Sequence, residues 1–143
     1  MIVGALLLFR LGSALIVSQP GYTDAYYYAG VARRLAAGNG LTADFIWNFL
    51  EAAPGGAVPV ASHRFWMPLA TVLQSIGITL LPFVESFRAA QAIEILSSLL
   101  IPVVAYRAAR SLGGSANAAL VAAGVAGLGG AFAPGWEIGR AHV

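Results

Sequence analysis

The chain has 143 residues, 59% of them hydrophobic and only 10% charged, with a formal net charge of +2. A soluble domain carries about 25% charged residues, and one this short cannot hide so much apolar surface from water, so the composition points to a membrane. Cys is absent, which excludes disulfides, Cys–zinc sites and thiol chemistry; Lys is absent too, and the all-Arg basic set forms no patch interleaved with aromatics, which argues against nucleic acid as a partner.

The first predicted element is an apolar stretch from Ile2 to about Val17, broken by Arg10 and small residues. Met1 opens onto it without the basic residues that usually precede a first membrane helix, an indication that the start is misplaced. A signal peptide would account for this stretch alone, and Ser13-Ala14-Leu15 is a poor cleavage site. A long polar segment, Ser18 to Phe65, follows. In it Pro20-Gly21 predicts a turn, Thr23 or Asp24 a helix N-cap, and Gly38 the C-terminal stop of a helix reaching about Ala37. Tyr27, Val31 and Leu35 fall on one face of that helix and Arg33 and Arg34 on another, an amphipathic pattern suited to a membrane surface. Tyr26, Tyr27 and Tyr28 suit the headgroup layer. A second short helix is predicted over Asp44 to Ala52, then a flexible Pro54–Gly56 segment, then Ser62-His63-Arg64-Phe65-Trp66-Met67-Pro68 leading onward.

Three more apolar stretches complete the chain, from about Trp66 to Phe83, Ala89 to Tyr106 and Ala116 to Phe132. Each of the four is roughly 16–18 residues, the short end of what crosses a hydrocarbon core of about 30 Å. The expected fold is therefore all-α, about four transmembrane helices with amphipathic juxtamembrane helices in the first external loop. Trp47, Trp66 and Trp136 read as interface anchors, and Gly124, Gly127, Gly129 and Gly130 as places of close helix approach or simply a loose end of the fourth span. Ile138 to Val143 reads as the translation of a sequencing adapter, so the expectation is a truncated chain: residues 1–137 are the N-terminal part of a larger membrane domain and 138–143 are set aside.

An Arg-containing apolar span is followed by Pro20-Gly21-Tyr22-Thr23-Asp24-Ala25-Tyr26-Tyr27, then Val31-Ala32-Arg33-Arg34-Leu35, Gly38-Asn39-Gly40-Leu41-Thr42, His63-Arg64 and Pro68-Leu69. Further along come Phe87-Arg88-Ala89 and Tyr106-Arg107-Ala108-Ala109-Arg110-Ser111-Leu112-Gly113. In this order the motifs resemble the opening of a GT-C-type glycosyltransferase of the protein O-mannosyltransferase and aminoarabinose-transferase group. The resemblance implies a multi-pass enzyme of the cell membrane, in bacteria the plasma membrane, whose partners are membrane lipids and a polyprenyl-phosphate-sugar donor. The acceptor would be a protein, a lipid or a polysaccharide. It also implies an acidic residue of the first external loop facing the reaction, and Asp24 stands at that position. Two departures mark this chain: Ala25 stands where the family often has a second carboxylate, and Pro68 is single where the family often has paired prolines.

Glycosyl transfer needs a carboxylate to take or orient the acceptor hydroxyl proton and positive charge on the departing phosphate. Asp24 suits the first task, and helix N-capping is its structural alternative. His63 and Arg64, with Tyr22 and Tyr26, are the candidate substrate-binding residues; for the first two, phosphate or acceptor contact stands against nonspecific headgroup binding. Arg33 and Arg34 read better as surface charges on anionic lipid. A divalent metal among Asp24, Asp44 and Glu51 is open, since hard cations take oxygen ligands, but the spacing carries no metal signature and solvated loop carboxylates are the better reading. Arg10 and Glu94, charges inside apolar spans, are expected to face the bundle interior and pair with each other; snorkelling of Arg10 and an Arg88 partner for Glu94 are the alternatives.

The resemblance places the N-terminus in the cytoplasm and the long loop outside. The positive-inside count disagrees, since that loop carries Arg33, Arg34 and Arg64 and the loop after the third span carries Arg107 and Arg110, though arginines working in an active-site loop would bias such a count. Two other classes compete with the enzyme. A transporter or channel would use Arg10 and Glu94 along a polar path, whereas a noncatalytic membrane protein would need neither. The long loop with its helix and Asp favours the enzyme.

Overall fold

The computed structural model describes residues 2–46, 56–64 and 67–128, with side chains from residue 4 onward. The chain is mostly helical: α1 (Ile2–Ile16), α2 (Thr23–Ala36), β1 (Thr42–Ala43), β2 (Val60–Ala61), α3 (Leu69–Leu80), α4 (Ser86–Ser98), α5 (Leu100–Ser111) and α6 (Ala116–Leu128). Trp47, Glu51, Phe65, Trp66, Gly129, Gly130, Trp136, most of the predicted Asp44 to Ala52 helix and the 138–143 tail lie outside the described residues. The chain divides into two compact units, Met1–Ser18 with Ile95–Val143 and Gln19–Glu94.

In the first unit, α5 and α6 are joined by a tight turn. Gly113 takes φ +85°, its N–H bonds the Arg110 carbonyl and the Gly114 N–H bonds the Ala109 carbonyl, a Schellman termination that leaves Ser115 to cap α6 through the Ala118 N–H. α6 buries the small face Ala119, Ala123 and Gly127. Gly127 lies directly under Leu6 of α1, as expected of a close approach, whereas Gly124 faces open space. Arg10 donates through Nη2 to the Gly127 carbonyl at 2.9 Å.

The second unit is built around α2. Tyr27 and Val31 are buried with Ala43 and Val60, so the one-residue-per-turn spacing of the helix meets the two-residue antiparallel ladder Thr42↔Ala61 and Ala43↔Val60. This small ladder sits within a mostly helical chain, consistent with the all-α expectation, and it moves Tyr27 from the headgroup layer into the core. α2 ends as its Gly38 predicts: φ is +80°, and Gly38 and Asn39 donate to Leu35 and Arg34 carbonyls. Arg34 then donates to Thr42 at 2.8 Å and pairs with Asp44, which takes both out of the roles of lipid contact and metal ligand. Among the described residues no cluster has the makings of a metal site.

α3 starts after Pro68 and stops before Pro82, because the residue preceding a proline disfavours helical backbone; Leu81 sits at φ −121°, ψ 58°. It is therefore shorter than the predicted stretch to Phe83. Its buried face is polar, Thr71, Gln74 and Ser75, while Leu69 (66% exposed), Ile76 and Leu80 point outward. The return helix begins at Glu85, whose Oε1 and Oε2 accept the Phe87 and Arg88 N–H groups. At Gly77 the two helices touch: a Cβ there would lie 2.4 Å from the Ala89 carbonyl oxygen.

Ser86–Ser111 is a run of 26 residues, about 39 Å at 1.5 Å per residue, long and apolar enough to cross a membrane. Leu99 interrupts its hydrogen bonding one turn before Pro102, which has no N–H to offer Ser98. Gly4–Ile16, Leu69–Leu80 and Ala116–Leu128 are apolar but shorter. At about 18–20 Å each they fall short of the hydrocarbon thickness. Among the described residues, then, one helix and not four meets the length for a crossing.

Candidate functional site

The loop residues singled out in the sequence belong to the second unit, and α2 positions most of them. Its N-cap is Tyr22, with extended backbone and no side-chain capping bond, so Asp24 is not the cap. Asp24 sits in the first turn, half-buried, and its carboxylate makes no hydrogen bond among the described residues. The positive end of the helix favours negative charge there. Tyr22 is half-buried; burial first, then the charges of Asp24 and Glu94, raise its phenol pKa above the ordinary value. Burial and Asp24 raise Tyr28 likewise. Both phenols stay neutral and able to donate.

His63 is the centre of a second set of contacts. Its backbone is left-handed, φ 58°, an uncommon conformation for a residue with a side chain, and the surroundings hold it there. Its N–H donates to Tyr27 Oη at 2.7 Å, and Nε2 shares a hydrogen bond with Thr71 Oγ1 at 2.9 Å. The ring stacks on Tyr28 at 5.7 Å and meets Tyr27 edge-on at 5.3 Å. One imidazole thereby ties the end of β2 to α2 and α3. Tyr26, 47% exposed, and Arg64, also exposed, lie on the surface and take no part in this stack.

Thus Tyr22, Asp24 and Tyr28 are gathered at the start of α2, and His63 joins through Tyr28. The arrangement offers a carboxylate acceptor, two phenol donors and an oriented imidazole. Sequence reasoning missed the floor of this region, the polar face of α3. Gln74 Nε2 donates to Glu94 Oε1 at 2.6 Å, so Glu94 is engaged within this unit by a neutral amide, and Arg10 is engaged within its own unit by a carbonyl. Arg88, the other proposed partner for Glu94, donates to Gln91. The signal for the floor was present: Thr71, Gln74 and Ser75 stand three and four residues apart in an otherwise apolar stretch.

Comparison with protein-family models, with curated proteins and with solved structures finds no match for this chain.

Proposed function

We propose that this chain is part of a multi-pass membrane glycosyltransferase that takes its sugar from a polyprenyl-phosphate lipid and passes it to a protein, lipid or polysaccharide hydroxyl. The observation that carries the reading is Asp24: a carboxylate with no internal bond to satisfy, held on a rigid helical turn, beside two neutral tyrosines and within the unit that also holds His63. An acceptor hydroxyl bound there meets a base, and an exposed Arg64 one residue beyond His63 is available to the departing phosphate.

The membrane setting is supported by the distribution of side chains. α1, α3, α5 and α6 all turn large aliphatics outward: Leu8, Leu15, Leu69, Leu80, Val104 and Val125 are examples. α3 at the same time turns its hydroxyls and amide inward. Water favours the reverse, and lipid favours this arrangement. Helix hydroxyls are satisfied locally, Ser13 on the Phe9 carbonyl and Thr79 on that of Ser75, as apolar surroundings require. In this reading the shorter helices are further crossings, accommodated by local thinning of the bilayer.

The test is sugar transfer from a polyprenyl-phosphate monosaccharide by the full-length protein. Asp24→Asn is expected to lower transfer roughly 10²–10⁴-fold, the usual worth of a positioned base, with donor binding retained. Full activity in that variant would remove Asp24 from the role.

A further inference from the structure

Asn39-Gly40, in the turn between α2 and β1, is a motif that the contacts of Asp24 and His63 leave unused. Gly38 ends the helix, and the N–H groups of Gly38 and Asn39 are tied back to the Leu35 and Arg34 carbonyls. Beyond them the backbone turns left-handed at Gly40, φ +67°, with open space where a Cβ would stand, and both Asn39 and Gly40 are exposed. Two groups of this turn make no hydrogen bond among the described residues: the Asn39 side-chain amide and the Gly40 N–H. They are adjacent in the chain, an electrophilic carbon, Cγ, beside a nitrogen that can attack it. Asn117, also exposed, differs at that nitrogen. It lies in the first turn of α6, the methyl of Ala118 crowds the approach, and the Ala118 N–H is donated to Ser115 Oγ at 3.2 Å.

We propose that Asn39 is a site of covalent modification, converted to aspartate and isoaspartate through a cyclic imide closed by the Gly40 nitrogen. That nitrogen forms a bond to Asn39 Cγ, the Cγ–Nδ2 bond breaks, and Nδ2 leaves as ammonia with the Gly40 proton. Water, the co-reactant, opens the five-membered ring at either carbonyl carbon, and its proton restores the Gly40 N–H. One water is consumed, one ammonia is released and no electrons are exchanged. Opening at Cγ gives aspartate on an ordinary backbone. Opening at the main-chain carbon gives isoaspartate, in which the chain runs through Cβ and Cγ and the former Asn39 carbonyl becomes a free carboxylate. Either product puts negative charge just past the C-terminal end of α2, where the helix dipole disfavours it. Isoaspartate goes further. The Asn39 carbonyl accepts the Thr42 hydroxyl at 2.9 Å, and Thr42 Oγ1 accepts Arg34 Nε at 2.8 Å, so moving that oxygen off the main chain unseats the Arg34–Thr42 contact. The modification thus acts on the join between α2 and the ladder that covers Tyr27 and Val31.

The experiment incubates the full-length protein in nanodiscs at physiological temperature and mildly alkaline pH. The Asn39 amide is followed by mass spectrometry of the tryptic peptide 35–64, fragmented to separate it from Asn48, which the same peptide contains. Isoaspartate is read by enzymatic methylation, and the isolated peptide 35–64, incubated in parallel, gives the rate without the fold. Asn39 in the folded protein is expected to convert within several-fold of the peptide's rate, giving both products, while Asn117 keeps its amide over the same period. Asn39→Gln, whose longer side chain cannot close the five-membered ring, is expected to lose all product at position 39. Gly40→Ala is expected to slow conversion several-fold, in the peptide as in the protein. If Asn39 keeps its amide in the folded protein while the peptide converts, the fold protects the turn and the proposal is overturned. If Asn39 and Asn117 convert alike, the loss is general amide hydrolysis, and the assignment to this turn fails.

Discussion

Glu85 shows how one side chain outside the apolar spans controls a helix. Its carboxylate accepts the Phe87 and Arg88 N–H groups, and those bonds, foremost the one from Phe87, hold its pKa below the ordinary value against a smaller opposing effect of burial. A carboxyl whose folded-state pKa is depressed contributes stability that is fully present above the unfolded value and fades as pH falls through the folded one. Solvent screens so exposed a group, and the effect is modest. Thermal denaturation in mild detergent should therefore find Glu85→Gln less stable than the wild type at pH 7, with the difference closing between about pH 5 and pH 3. A gap that stayed constant to pH 3 would assign the role to packing. The sequence offered Thr23 or Asp24 as a capping residue and passed over Glu85, because capping depends on where the first helical turn begins. Tyr22 takes the N-cap position of α2, so Asp24 falls two residues too late to cap it. The same displacement leaves the Asp24 carboxylate without a capping bond.

At the scale of elements, two glycines look alike in sequence and differ in space. A Cβ on Gly77 would meet the Ala89 carbonyl oxygen at 2.4 Å, and the backbone of α4 cannot step aside. A Cβ on Gly127 would meet Leu6 Cδ1 at 2.3 Å, the far end of a flexible side chain that can rotate away. Replacing Gly by Ala gains about 0.5–1 kcal/mol of helix propensity, while overpacking against a fixed neighbour costs about 1–3 kcal/mol. Gly77→Ala is thus expected to be net destabilising and Gly127→Ala close to neutral, read as the shift in thermal midpoint of each variant. Equal shifts would show that the helix contacts at these two positions are equally adaptable. Helix existence was legible from apolar runs and the end of α2 from Gly38, whereas the stops before Pro82 and at Gly113 were passed over although both residues end helices by their own backbone preferences. The ladder of β1 and β2 was not legible, since Thr42-Ala43 and Val60-Ala61 are too short to show a period and pair only because Tyr27 and Val31 give them something to cover.

For the whole molecule the question is whether lipid or water meets the outward-facing aliphatics. These 143 residues hold no Cys, so a single cysteine placed among them gives a clean label once any Cys elsewhere in the full-length protein is replaced. In intact cells expressing the full-length protein, Ala57→Cys in the exposed loop should react with a membrane-impermeant maleimide, and Val104→Cys, an outward-facing aliphatic of the 26-residue helix, should not. Rapid labelling at position 104 would place that helix in water and sink the membrane reading. Labelling at 57 only after permeabilisation would turn the loop to the cytoplasm, as the arginine distribution prefers.

The sequence by itself marked most of the helices of this chain, because apolar runs and a helix-stopping Gly38 are local properties that packing does not undo. The resemblance to a glycosyltransferase opening also rested on local order of motifs. Which polar groups meet was decided only in three dimensions. Gln74 and Glu94 are twenty residues apart, and Tyr28, His63 and Thr71 come from separate segments. Their partners depend on helix rotation and on the close contact at Gly77, and neither is written in the spacing of any one segment.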